Sequence, residues 1–221
     1  MTTDAPATGG GGASAPPASN PPEPFGDRLA AAVARRESQV CLGLDPDPRR
    51  LWPDAAVTAS RQGSPTDQAA AAVAAHCRAL ISAAAPACVA VKPQVACFER
   101  LGAPGWAALA RICDDARSAG LLVLADAKRG DVDVTAAAYG EAFFAGLDTP
   151  WGAVDGLRAD ALTANPLLGG DSVAPLLAAA RAIGGGLFVL VRTSNPGAAD
   201  VQAQELVRGG DVSDRLALLV A

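Results

Sequence analysis

Five short apolar runs recur along the chain: residues 40–45 (VCLGLD), 88–92 (CVAVK), 121–128 (LLVLADAK), 161–165 (ALTAN) and 187–192 (LFVLVR). They are nearly continuous in Val, Leu, Ala and Cys rather than alternating, the pattern of strands buried on both faces. Alanine-rich stretches of helical character separate them, over 66–84, 106–119, 134–145 and 173–183, after an opening helix over 25–36. This alternation predicts an α/β fold, a parallel sheet with helices outside it. The polar residues of the runs fall at their C-terminal ends: Asp45, Lys92, Asp126, Lys128 and Asn165. In a doubly wound sheet ligands use one crevice beyond that edge, whereas charges ending successive strands fit the rim of a (β/α)8 TIM barrel. Five strands stand against the barrel's eight, and residues 211–221 have the pattern of a helix start. The expectation is a TIM barrel that is incomplete here, with about five of its eight βα units present.

Composition narrows the partners. Half of the 221 residues are apolar and only 4% are aromatic, so Ala, Val and Leu must build the core. The net charge is −5 and the Lys and Arg residues are scattered, which argues against nucleic acid or an anionic membrane surface as partner. A small anionic substrate stays compatible with a locally basic site. Residues 1–24 lack the basic start and apolar stretch of a signal peptide and are rich in Gly, Pro, Ala and Ser. They predict a disordered tail ahead of a domain over 25–221. No uninterrupted apolar run approaches the ~20 residues of a membrane span. Cys41, Cys77, Cys88, Cys97 and Cys113 are odd in number and lack C-x-x-C spacing, which predicts reduced core thiols in a cytoplasmic protein. His76 is the only histidine, so no metal centre is expected.

The chemistry concentrates in residues 125–132, ADAKRGDV. Side chains two apart on a strand share a face, so Asp126 and Lys128 point the same way, about 7 Å apart along the chain. Gly130 breaks the strand and Asp131 lies on the loop beyond. Charges packed this closely at the end of an apolar strand are expensive unless they pair. A structural ion-pair network capping the strand is one reading of them, and a catalytic site is the other.

The run DAKRGDV resembles the Asp-x-Lys-x-x-Asp signature of the orotidine 5'-monophosphate decarboxylase family. The blocks GLDPDP (43–48), AVKPQVACFE (90–99), LTANPLLGGDS (162–172) and VLVRTSNPGA (189–198) stand around it in that family's order, most like its longer bacterial branch. The resemblance implies a cofactor-free, cytoplasmic decarboxylase that makes UMP, a homodimer with shared active sites. It implies an alternating array of Lys92, Asp126 and Lys128 with Asp131 from the neighbouring subunit. Lys128 would protonate C6 as carbon dioxide leaves, and Asp126 would sit beside the departing carboxylate. Asp45 would hold the ribose with Lys92, Asp131 and Thr135 would reach the partner's ribose, and Ser194 would bond the pyrimidine ring. The family closes its barrel with three more strands that carry a Gln and an Arg for the substrate phosphate, so the chain is expected to lack its C-terminal part. A truncated inactive fragment is therefore an alternative. A related sugar-phosphate decarboxylase using Mg²⁺, or a Schiff-base aldolase using Lys92 or Lys128, is another.

Blander readings stand beside several of these residues. Asp45 before Pro46 fits a turn, Lys92 a solvated strand end, Ser194 a turn before Pro196-Gly197, and Thr135 a helix cap or first-turn position. The glycines 169–170 and 184–186 read as turns or helix ends. The Arg129-Gly130-Asp131 adhesion triplet reads as chance.

Overall fold

The computed structural model describes residues 21–59 and 62–221. Most of the tail expected over 1–24 thus lies outside the described residues. In chain order the first elements are α1 (Phe25–Arg36), β1 (Cys41–Leu44), α2 (Pro53–Thr58), α3 (Pro65–Ala84), β2 (Ala90–Pro93), α4 (Ala96–Glu99) and α5 (Gly102–Ser118). Then follow β3 (Leu122–Arg129), α6 (Asp133–Phe143), β4 (Leu147–Thr149), β5 (Gly152–Val154), β6 (Ala161–Ala164) and α7 (Gly170–Ala182). The last are β7 (Gly186–Val189), α8 (Ala198–Val201) and α9 (Val212–Val220).

The five apolar runs are the five strands of one parallel sheet, in the order β1-β2-β3-β6-β7. Chain order and spatial order agree, as they do around a TIM barrel. The antiparallel hairpin β4–β5 interrupts the alternation between β3 and β6. Its strands are three residues each, too short to carry a period, and lie outside the five apolar runs. The Thr149 side chain closes it, accepting from the Trp151 N–H at 3.2 Å and donating to the Gly152 carbonyl at 2.7 Å.

One hydrophobic core joins the sheet to its helices. Val91, Val123, Ala125, Leu162 and Ala164 of the strands meet Val73, Cys77 and Ile81 of α3, Leu109 and Ile112 of α5, and Phe143, Phe144 and Leu176. Cys77, Cys88 and Cys113 are buried as expected, and burial pushes the thiols of Cys77 and Cys113 up to about 12. Cys41 departs from the core expectation: it is exposed at the start of β1, which has a neighbouring strand on one side only among the described residues. Helix α3, with the turn after it (Pro65–Ala87), is long and apolar enough to cross a membrane by length and composition, although His76 and Arg78 interrupt its apolar run. Here it serves as a core helix, with Ala70, Val73, Ala74, Cys77 and Ile81 buried.

Side-chain caps fix the starts of α3 and α9. Ser64 and Asp67 form a reciprocal capping box ahead of α3, with Pro65 in the first turn. Asp211 and Asp214 do the same for α9. Helix α1 is held to the N-terminal ends of the strands by two arginines. Arg28 pairs with Asp160 and donates to the Gly184 carbonyl at 3.0 Å. Arg36 donates to the carbonyls of Ala85, Ala119 and Gly120.

Candidate active site

The C-terminal ends of β2, β3 and β6 converge on one carboxylate. Asp126 lies in the buried stretch of β3, between Ala125 and Ala127, and its side chain is only 8% exposed. Its Oδ2 accepts from Lys92 Nζ of β2 at 2.8 Å and from Gln94 Nε2 at 3.1 Å. Its Oδ1 accepts from Lys128 Nζ at 2.5 Å and from the Thr163 hydroxyl of β6 at 3.0 Å. Gln94 is carried to this point by the strand register: its N–H bonds the Leu44 carbonyl, and it bridges to Asp126 across the β2–β3 pair.

The backbone departs from the strand alternation that the sequence predicts. Lys128 has φ of 51°, in the left-handed region that lysine seldom occupies. The β3–β6 register pairs Ala125 with Leu162 and Arg129 with Ala164, so residues 126–128 bulge opposite Thr163 alone. Asp126 and Lys128 do face one another, but the bulge brings their charged ends into contact instead of leaving them apart along a straight strand.

Three of these donors decide the protonation of Asp126. Burial works to raise its pKa, but the hydrogen bonds from Lys128, Lys92 and Thr163 outweigh that and hold it below the usual carboxylate range. For Lys92, burial works to lower the pKa, and the Asp126 hydrogen bond and charge, with a contribution from Asp45, lift it above the usual lysine value. The pair is therefore charged at neutral pH.

The other expected residues lie around this centre. Asp45 is exposed just past β1, on a cleft of about 390 Å³ whose other walls include Asp47, Arg50 and His76. Asp131 is half-buried on the loop after β3, where its Oδ1 accepts from the Val132 N–H at 2.8 Å. Thr135 is exposed in the first turn of α6; the cap position is Val132. Ser194 is exposed beyond β7. Among the described residues, Asp131, Thr135 and Ser194 make no hydrogen bond or ion pair with Lys92, Asp126 or Lys128. The fold thus assembles Lys92, Asp126 and Lys128 within one chain and leaves the other three apart from them.

The chain matches the model of the Orotidine 5'-phosphate decarboxylase / HUMPS family over residues 38–214. It belongs to that family. It is 38% identical over 197 residues to the orotidine 5'-phosphate decarboxylase of Deinococcus radiodurans, covering 89% of this chain and 61% of that one. To the enzyme of that name from Rhodopirellula baltica it is 39% identical over 181 residues, 80% of this chain and 57% of that one. The structure of Leishmania donovani OMP decarboxylase superposes with a TM-score of 0.66 at 34% identity, over 88% of this chain and 63% of that one. The chain thus spans 57–63% of the length of these relatives.

Sequence reasoning passed over three residues at this decarboxylase-family site. Thr163 carried a signal, as the only hydroxyl in an otherwise apolar strand. Gln94, two residues after Lys92, carried the period of a strand face. Arg129 was read only as part of the adhesion triplet. Instead it pairs with Glu99, lies 5.4 Å from the Tyr139 ring centre and 5.6 Å from that of Phe143, and donates to the Ala127 carbonyl. These contacts leave the Arg129 side chain 21% exposed.

Proposed function

We propose that this chain decarboxylates orotidine 5'-monophosphate to UMP without a cofactor. The observation that carries the reading is the buried Asp126 carboxylate gripping the ammonium groups of both Lys92 and Lys128 at the strand ends. In the proposed step the bond from C6 to the carboxyl carbon breaks, carbon dioxide departs, and the electron pair stays on C6. Lys128 Nζ gives that carbon a proton and is reprotonated from water. An ammonium already fixed beside the developing charge stabilises it with little reorganisation. Asp126 favours the charged form of Lys92 and stands next to the departing carboxylate. Asp45 holds the ribose with Lys92, and Ser194 bonds the pyrimidine ring.

The reading includes a homodimer. Asp131 and Thr135 sit on the loop and first turn after β3 without contacts to their own array, a placement that suits delivery to the ribose of a partner's site. Mixing Lys128→Ala and Asp131→Ala chains tests this. Heterodimers that regain activity absent from either parent support shared sites, and mixtures as dead as both parents refute them.

The central test is carbon dioxide release from orotidine 5'-monophosphate in the presence of EDTA. Lys128→Ala is expected to abolish it. Near-normal turnover by that variant removes the role given to Lys128. Loss of wild-type turnover on chelation favours a Mg²⁺-dependent sugar-phosphate lyase instead.

A further inference from the structure

Thr163 is buried in the middle of β6, whose four residues are all buried. Its Oγ1 accepts from the Lys128 backbone N–H at 2.9 Å and donates to Asp126 Oδ1 at 3.0 Å. The direction of both bonds is fixed by chemistry. A backbone N–H only donates and an ionised carboxylate only accepts, so the single hydroxyl proton must point at Asp126. Lys128 Nζ meets the same Oδ1 from the other side. The result is a closed ring: Lys128 N–H to Thr163, Thr163 to Asp126, and Asp126 back to the end of the Lys128 side chain.

We propose that Thr163 is a positioning residue for Lys128, its hydroxyl fixing the lysine's backbone and limiting where the ammonium sits on the Asp126 carboxylate. The inference rests on the decarboxylase reading for what Lys128 does, though not for how it is held. The bulge makes the hydroxyl necessary. With residues 126–128 opposite Thr163 alone, Lys128 lies outside the regular β3–β6 ladder, and the Thr163 side chain supplies the acceptor for its N–H. The left-handed backbone at Lys128 is unfavourable for a lysine and persists only where its surroundings hold it. On the other side, the hydroxyl occupies part of Oδ1, so the ammonium is confined to the remaining lone-pair direction. A valine at 163 keeps the shape of the side chain but leaves the Lys128 N–H and one face of Oδ1 unmatched.

The test compares Thr163→Val with Thr163→Ser, which keeps the hydroxyl. In turnover, Thr163→Val is expected to lower kcat by about 10- to 100-fold with KM little changed, the size of effect produced by small misplacements of a reacting group. Thr163→Ser is expected to retain most of kcat. Two further readouts need no substrate. Carbon-13 titration of the Asp126 carboxyl should move upward in Thr163→Val and stay near wild type in Thr163→Ser. Hydrogen exchange of the Lys128 amide should quicken in the valine variant alone. Wild-type kcat in Thr163→Val, or unchanged Asp126 titration and Lys128 exchange, overturns the proposal. Absence of turnover in the unsubstituted chain defeats only the decarboxylase reading, and the titration and exchange then decide the role of Thr163.

Discussion

At the scale of single residues, the site is organised around one carboxylate and not around its lysines. Asp126 is the buried member, while the side chains of Lys92 and Lys128 are 34% and 45% exposed. Removing the carboxylate's charge leaves two ammonium groups facing each other, but both can turn toward water. Asp126→Asn is therefore expected to cost about 2 kcal/mol at neutral pH, less than the 3–5 kcal/mol of a fully buried pair. The pH dependence has a definite sign. The folded pKa of Asp126 is depressed, so its stabilisation is present above the ordinary carboxylate pKa and is lost as pH falls through the lower, folded value. The folded pKa of Lys92 is raised, so its share is present below the ordinary lysine pKa and is lost as pH rises through the higher, folded value. Urea unfolding of Asp126→Asn across acid pH should show a shallower loss of stability than wild type. An acid limb of the same steepness in both chains would show that Asp126 contributes nothing to it.

At the scale of elements, α1 lies before the family-matched region yet is built into the sheet. Arg28 is the link. Its partner Asp160 also accepts from the Val123 N–H at 2.7 Å, and the Asp160 N–H bonds the Val123 carbonyl. Asp160 thereby ties the start of β3 to the approach to β6. Arg28→Ala leaves a carboxylate with a 13%-exposed side chain short of its counter-charge. The expected loss is about 2 kcal/mol, read by chemical denaturation. Amide exchange should quicken at Val123 and Gly186, whose N–H groups bond Asp160. Exchange that quickens only within α1 would show that the helix is stitched on without supporting the strands.

At the scale of the whole molecule, the described sheet has two free edges, β1 and β7. Apolar side chains stand exposed near both, with Val40 at 54% and Phe188 at 46%. Unpaired edges beside apolar surface are templates for association. The 221-residue chain on its own is therefore expected to self-associate with rising concentration beyond any dimer, measured by sedimentation velocity. A single sedimenting species over a wide concentration range would count against open edges in solution.

The alternation of strands and helices was legible in the chain alone, because apolar runs and the helical stretches between them are local patterns. So was the clustering of charges at the C-terminal strand ends, because an apolar run that stops in Asp and Lys announces its own polarity. Lys92, Asp126 and Lys128 were legible for that reason, and the structure brings them together. How they are held follows from contacts between distant segments. The left-handed backbone at Lys128, the bulge of residues 126–128 and the engagement of Thr163 all depend on the register between β3 and β6, strands more than thirty residues apart in the chain. The inward turn of Arg129 depends likewise on Glu99, Tyr139 and Phe143 arriving from α4 and α6. Local pattern names the groups that carry charge, and long-range pairing sets the ångström-scale geometry in which they act.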